Sequence, residues 1–199
     1  MAERLYRTYG MGITWMDLTA ALLLSHLIGD FPLQTNQIYR LKNKSWLGIL
    51  LHATVHVVAA AALINQPLAV WPMLLWLGML HFLIDLVKLR VPIKHQWLGF
   101  LLDQAAHLVV LGLLAQRWST TTDSLLPMAL MLPMIGYGLF LATVVFLWVL
   151  ANELSGSAWG NRSYVQWARI HLLALSQYAG LPLLIALVVH WYQQSIRSP

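Results

Sequence analysis

Six apolar runs, each about as long as a bilayer is thick, occupy most of the chain between residues 14 and 192. A membrane-crossing helix needs ~20 predominantly apolar residues, and the runs read as Thr14–Phe31, Trp46–Ile64, Leu68–Leu89, Trp97–Gln116, Leu125–Leu150 and Ile170–Tyr192. Backbone polar groups in lipid must be paired within the segment, so the expected fold is all-α, a polytopic bundle of about six transmembrane helices. Tryptophan placement agrees. Trp15, Trp46, Trp71, Trp97, Trp118, Trp148, Trp167 and Trp191 all fall near proposed span ends, where an amphipathic ring is favoured. With 59% hydrophobic and 10% charged residues, against about 25% charged in soluble domains, the chain is not an ordinary cytosolic globule. That hydrophobicity also excludes disorder.

The connections are brief. Tyr39–Ser45 (YRLKNKS) reads as a basic loop, Asn65–Pro67 as a minimal turn and Arg90–Gln96 (RVPIKHQ) as a basic, proline-containing loop; Asn152–Asn161 (NELSGSAWGN) is the one Gly/Ser-rich loop. A single transmembrane domain over 1–199 is expected, with a four-helix core at 14–116 and two additional helices at 125–192. The decapeptide MAERLYRTYG has no apolar core directly behind it, and Asp17, His26 and Asp30 interrupt the first span. This pattern argues against a cleaved signal peptide. The net charge of +5 is scattered in twos and threes, which suits the loops of a membrane protein and gives nucleic acid no patch to bind. Arg40, Lys42, Lys44, Lys88, Arg90, Lys94, Arg162 and Arg169 fall on one side, and Arg4, Arg7, Arg117 and Arg197 on the other. The positive-inside rule then places both termini outside. The chain has no cysteine, so disulfides, thiolate nucleophiles and cysteine metal sites are absent.

What charge remains is concentrated in the first four spans. They carry, in order, His26 and Asp30, His52 and His56, His81 and Asp85, and Asp103 and His107. Each pair is spaced i, i+4, which puts both members on one helical face. A charge at mid-bilayer costs ~2.5–3.5 kcal/mol on insertion scales, so three carboxylates with five imidazoles must satisfy one another or hold something. Their depths match. His26 and Asp30 lie 16 and 12 residues before Lys42, and His52 and His56 lie 10 and 14 after it. His81 and Asp85 lie 11 and 7 before Pro92, with Asp103 and His107 11 and 15 after it. Antiparallel neighbours would bring all four pairs into one layer. His26, Asp30 and His52 also recur as His81, Asp85 and His107, shifted by 55 positions. Two copies of a helical hairpin related by an axis along the membrane normal would explain this.

Imidazole with carboxylate and no thiolate suits a divalent metal, Zn first, with Mn or Fe as alternatives. Eight candidate ligands, namely His26, Asp30, His52, His56, His81, Asp85, Asp103 and His107, suffice for one ion or for two that share carboxylates. A hydrogen-bonded polar core, a proton or ion pathway and bis-His haem ligation by residues such as His52 and His107 are the competing readings. Gln34, at i+8 from His26 but beyond Pro32, Gln104 beside Asp103, and Lys88 one turn after Asp85 are weaker candidates for substrate contact. Lys88 could meet an anionic headgroup or simply snorkel. Ser25 adjoins His26, yet adjacent helix positions diverge, so no Ser–His dyad follows. His95, His171 and His190 stand apart from the layer. Spans five and six, with no acid but Glu153 near a boundary, read as scaffold or lipid contact.

With HLIGDFPLQ at His26–Gln34, LHATVH at Leu51–His56, HFLIDLVK at His81–Lys88 and FLLDQAAH at Phe100–His107, the chain resembles a family of small bacterial membrane proteins catalogued as domain of unknown function 3307. The resemblance covers about the first 110 residues. It implies that the polar layer is the family's signature and that the protein belongs in the bacterial inner membrane. It supplies no reaction. A looser analogy of site type exists with intramembrane zinc hydrolases of the ceramidase and adiponectin-receptor kind, which gather His, Asp and Ser from several helices.

Three functions compete. A metal-dependent hydrolase would act on a lipid or other amphipathic substrate, with Asp30 or Asp103 as general base. A non-haem iron oxidoreductase would be expected to show denser His boxes than this chain has. A transporter for metal ions or protons would be expected to show Gly/Pro-broken helices, of which only Gly29 and Pro32 are a trace.

Overall fold

A computed structural model describes the backbone of residues 2–197 and the side chains of residues 15–189 other than 177 and 183. The side chains of Arg4, Arg7, His190, Trp191 and Arg197 lie outside the described set. The described chain is all-helical: α1 (Ala2–Asp30), α2 (Asn36–Lys44), α3 (Trp46–Leu63), α4 (Trp71–Arg90), α5 (Gln96–Trp118), α6 (Met128–Leu154) and α7 (Ser163–Arg197). Five of these, α3 to α7, are long and apolar enough to cross a membrane.

The outside of the bundle is apolar in stripes that run the length of the helices. Leu50, Leu51 and Val58 on α3, Leu75, Met79 and Leu83 on α4, Leu101, Leu108 and Val109 on α5, and Leu132, Leu139 and Phe140 on α6 are all exposed. In water such stripes would drive aggregation; against lipid tails they cost nothing. The inside is also largely apolar, with a polar layer set within it. Among the most enclosed side chains, beside nine aliphatic or methionine ones, are His26, His52 and His56.

Helices α1, α3, α4 and α5 form a ring in which α1 packs on α3 and α5, and α4 packs on the same two. Hairpin α1–α3 and hairpin α4–α5 therefore sit across from each other, as the 55-residue repeat expects. Helix α6 closes the outer side of α1 and is itself backed by α7. Leu18, Ala21, Leu22 and Leu24 are consequently fully buried, and α1 is walled in by three neighbours. Gly138 and Gly180 allow that closeness: a Cβ at either would fall 2.9 Å from Leu27 Cβ or 2.7 Å from Pro32 Cβ. The Tyr137 hydroxyl donates to the Ala179 carbonyl at 2.6 Å, tying α6 to α7. At the end opposite the basic loops, the Leu125 amide donates to the Leu63 carbonyl at 2.7 Å, and Asn65 Nδ2 donates to Asp123 at 2.7 Å.

One connection departs from expectation. The segment read as a basic loop at Tyr39–Ser45 is largely helix α2. Pro32 cannot continue α1, and Thr35 restarts the chain as an N-cap, accepting from the Ile38 amide at 3.4 Å. Ser45 then ends α2 and caps α3, accepting from the Gly48 amide at 3.1 Å. The Gly/Ser loop is shorter than expected, because α6 runs to Leu154 and α7 begins at Ser163. Helix α2 is inverted for a surface helix: Leu41 is exposed and Lys42 is buried. An interfacial position accounts for this, with the apolar side toward lipid and the lysine stem toward the ring.

Helix α2 also explains where the repeat breaks. Gly48 of α3 corresponds, 55 positions earlier, to Asp103 of α5. A Cβ on Gly48 would overlap the main chain of Leu41 and Lys42, so no side chain fits where the second hairpin carries a carboxylate. Gly48→Ala should lower the apparent Tm of the detergent-solubilised protein through ~1–3 kcal/mol of overpacking. Gly112→Ala is the control. A Cβ there meets nothing within 4 Å, and its better helix propensity should leave Tm equal or slightly higher. Equal Tm values for the two variants would contradict the α2–α3 contact.

Candidate metal centre

The i, i+4 pairs of α1, α3, α4 and α5 all turn inward and meet at one level. Five imidazoles pack as a cluster: His56 stacks on His81 at 3.7 Å between ring centroids, and His81 lies 4.2 Å from His107. His26 lies 4.9 Å from His107 and 5.3 Å from His56. All five are buried, as are Asp85 and Asp103. The single layer expected from depth is present.

Two ligand groups can be separated within it. The first comprises Asp30, His52, His56 and His81. His52 Nε2 and His56 Nε2 each lie 3.1 Å from Asp30 Oδ1 and 3.3 Å from one another. A tetrahedral zinc with metal–ligand distances of ~2.0–2.1 Å has ligand–ligand edges of about 3.3 Å. The three atoms therefore match one face of such a tetrahedron, and His81 supplies a fourth candidate.

The second group is His81, Asp85 and His107. The His107 Nδ1–H donates to the Asp103 carbonyl at 2.9 Å, which leaves Nε2 as the lone-pair nitrogen. That is the usual arrangement of a metal-binding histidine, held by a backbone acceptor on its other nitrogen. His107 Nε2, His81 Nε2 and Asp85 Oδ2 are buried without a hydrogen bond. An unsatisfied buried polar atom costs ~1–3 kcal/mol; His81 Nε2 and Asp85 Oδ2 offset part of that by lying 3.4 Å apart, and together with His107 Nε2 they form a group that could hold an ion. The repeat is visible in distances: His26 Nε2 to Asp30 Oδ2 is 3.5 Å, and His81 Nε2 to Asp85 Oδ2 is 3.4 Å. His81 belongs to both groups.

Of the eight expected ligands, His26 and Asp103 fall in neither group. His26 Nε2 lies 3.3 Å from Gln104 Oε1. Asp103 is paired with the Lys88 ammonium at 2.6 Å. Gln104, read as a weak substrate contact, organises the layer: its Nε2 donates to Asp30 Oδ2 at 3.0 Å and to Asp103 Oδ2 at 3.3 Å. Gln34 and Lys88 line a cavity of about 550 Å³ that reaches Asp30, Asp103 and Gln104. Ser25 forms no dyad, since its hydroxyl donates to the Leu22 carbonyl at 2.7 Å. His95 is exposed and bound to Glu153 at 2.7 Å. His171 is exposed and stands beside Trp167, with ring centroids 5.3 Å apart.

The residue missed from sequence is Lys42. Its ammonium lies 2.7 Å from Asp85 Oδ1, and both side chains are almost fully buried. The available signal was helical spacing within YRLKNKS, which sets Lys42 on the side of Ile38 and away from Arg40 and Lys44. Gly29 also belongs to the site. A Cβ on it would come within 2.6 Å of His56 Nδ1, so the glycine lets the His56 ring lie against α1.

Residues 18–132 match the family described as "Protein of unknown function (DUF3307)". The matched segment contains every member of the layer. No curated protein and no solved structure matches the chain.

Lys42 and Asp85 give a direct test of the layer. Truncating one partner of a buried ion pair typically costs ~3–5 kcal/mol, because the other charge is left uncompensated. Lys42→Met should therefore strongly destabilise the protein in detergent unfolding, and adding Asp85→Asn should recover most of the loss. Additive effects would show that the two side chains do not interact.

Proposed function

Starting from a chain that belongs to the DUF3307 family, whose description names no activity, we propose a metal-dependent integral membrane hydrolase acting on a lipid or other amphipathic substrate. The observation that carries this reading is the triangle of Asp30 Oδ1, His52 Nε2 and His56 Nε2, with edges of 3.1, 3.1 and 3.3 Å. Zinc is the preferred ion on this donor set, with Mn or Fe as alternatives, and the second group provides for a further ion shared through His81. The family resemblance and the apolar exterior are what support a bacterial inner-membrane location.

An ion held there would supply the Lewis acidity that makes water a nucleophile near neutral pH. The remaining work falls to the chain. Asp30 is engaged by three imidazoles and Gln104 and belongs to the first ligand group, which supports a ligand role for it. Asp103 stands outside both ligand groups and borders the cavity, so it is the better general base. Gln104 holds the two carboxylates in fixed relation. The cavity is polar where it meets the layer and apolar along Val145, Val149 and Leu173, which suits a substrate with a polar head and a hydrocarbon body.

Metal analysis of the detergent-purified full chain tests the proposal. One or two zinc ions per chain are expected. Stoichiometric iron with near-UV absorption would move the reading to an oxidoreductase, and no bound metal would overturn both. His52→Ala and His107→Ala should lose bound ion while keeping helical circular dichroism. Asp103→Asn should retain the metal and lower hydrolysis by about 10²–10⁴-fold, the usual contribution of a positioned base.

A further inference from the structure

We infer that the substrate is a lipid phosphate with a terminal, dianionic phosphoryl group, and that Lys42 and Lys88 are the residues that receive it. This deepens the hydrolase reading and rests on it. The charge of the layer carries the argument. Asp30, Asp85 and Asp103 bring three negative charges, and Lys42 and Lys88, each paired with one of them at 2.7 and 2.6 Å, return two. Ligating imidazoles are neutral. The layer alone therefore sums to −1, to +1 with one divalent ion and to +3 with two. An uncompensated charge in hydrocarbon is expensive, so the loaded site requires anionic ligands. A water-derived hydroxide balances at most one of these charges and a neutral ester or amide none, whereas a terminal phosphate supplies about two negative charges at pH 7 and so best matches the site loaded with two ions.

The two ammonium groups are placed for that role. Both lysines line the same 550 Å³ cavity, on the side of the layer that adjoins the basic loops. The Lys88 side chain is 33% exposed whereas that of Asp103 is 3% exposed, and both line the cavity. Each pairing uses one of an ammonium's three N–H bonds, leaving two for phosphate oxygens. Phe100, Val145, Val149 and Leu173 continue the cavity as an apolar wall, which fits the lipid part.

In the reaction, a water oxygen forms a bond to phosphorus and the ester P–O bond breaks. The electron pair leaves with the lipid oxygen. Asp103 takes a proton from the attacking water and returns it to that oxygen, so the products are the lipid alcohol and inorganic phosphate. Lys88, moving toward the phosphate, would release the Asp103 carboxylate to act as the base.

The test uses zinc-loaded full-length protein in detergent and measures equilibrium binding of three probes: dioctanoyl phosphatidate, dioctanoylglycerol and inorganic phosphate. The expected order is phosphatidate tightest, with both others at least about 10-fold weaker, in line with charge-assisted hydrogen bonds to the headgroup. Lys88→Ala should weaken phosphatidate binding about 10-fold at unchanged zinc content, and Lys88→Arg should restore most of it. Phosphate release from bound phosphatidate completes the support. Dioctanoylglycerol binding as tightly as phosphatidate would overturn the phosphate assignment. Inorganic phosphate binding equally well would overturn the lipid assignment. Tight phosphatidate binding unaffected by Lys88→Ala would overturn the role of the lysine. Each of these leaves the hydrolase reading standing, whereas a protein that binds no metal removes both.

Discussion

Three carboxylates inside a bundle whose outer surface faces hydrocarbon are the constraint from which the rest of this structure follows. None can stand alone there. Asp30 is surrounded by three imidazoles and an amide, Asp85 is held by Lys42, and Asp103 by Lys88. Each arrangement draws on a different helix, so meeting the demand of the carboxylates fixes α1, α3, α4 and α5 around a common centre. Lipid-phase helices have little hydrophobic reason to associate. In this bundle the polar layer supplies the reason.

Charge compensation and ligand geometry impose different demands, and the two halves of the layer resolve them differently. Around Asp30, donor atoms already stand at the spacing of a coordination polyhedron. Around Asp85, the lysine balances charge while His81 Nε2 and His107 Nε2 make no hydrogen bond. The pseudo-repeat thus yields two related but unequal places. Their inequality traces to α2, which occupies one side of the first hairpin and has no counterpart on the second. Gly48 against Asp103 is the clearest expression of that difference.

Much of the layer was legible in the residues because its signals are periodic. Spacing of four on a helix fixes a face, and counting from the basic loops fixes a depth; His26 through His107 could be placed on these two rules. What was not legible depended on contacts between segments. Lys42 reads as one more loop cation until α2 is seen to pack on α3. Gln104 looks like a neighbour of Asp103 until its amide is found between two carboxylates. Gly29 has no periodic signature, because its meaning lies in the ring of His56 on another helix. The division of eight candidate ligands into groups, with His26 and Asp103 outside, likewise needed distances that no linear spacing encodes.

The enclosure of α1 has a consequence for how the molecule comes into being. This helix is synthesised before the other members of the ring and carries Asp17, His26 and Asp30, yet in the finished protein it is flanked by α3, α5 and α6. The partners that neutralise its polar face are synthesised later, ending with Gln104 and His107 on α5. Before that fourth wall of the ring arrives, Asp30 can meet His52 and His56, but Gln104, Asp103 and His107 are still missing from the centre. Its chemistry is therefore a property acquired late, when the last helix of the ring closes behind the first.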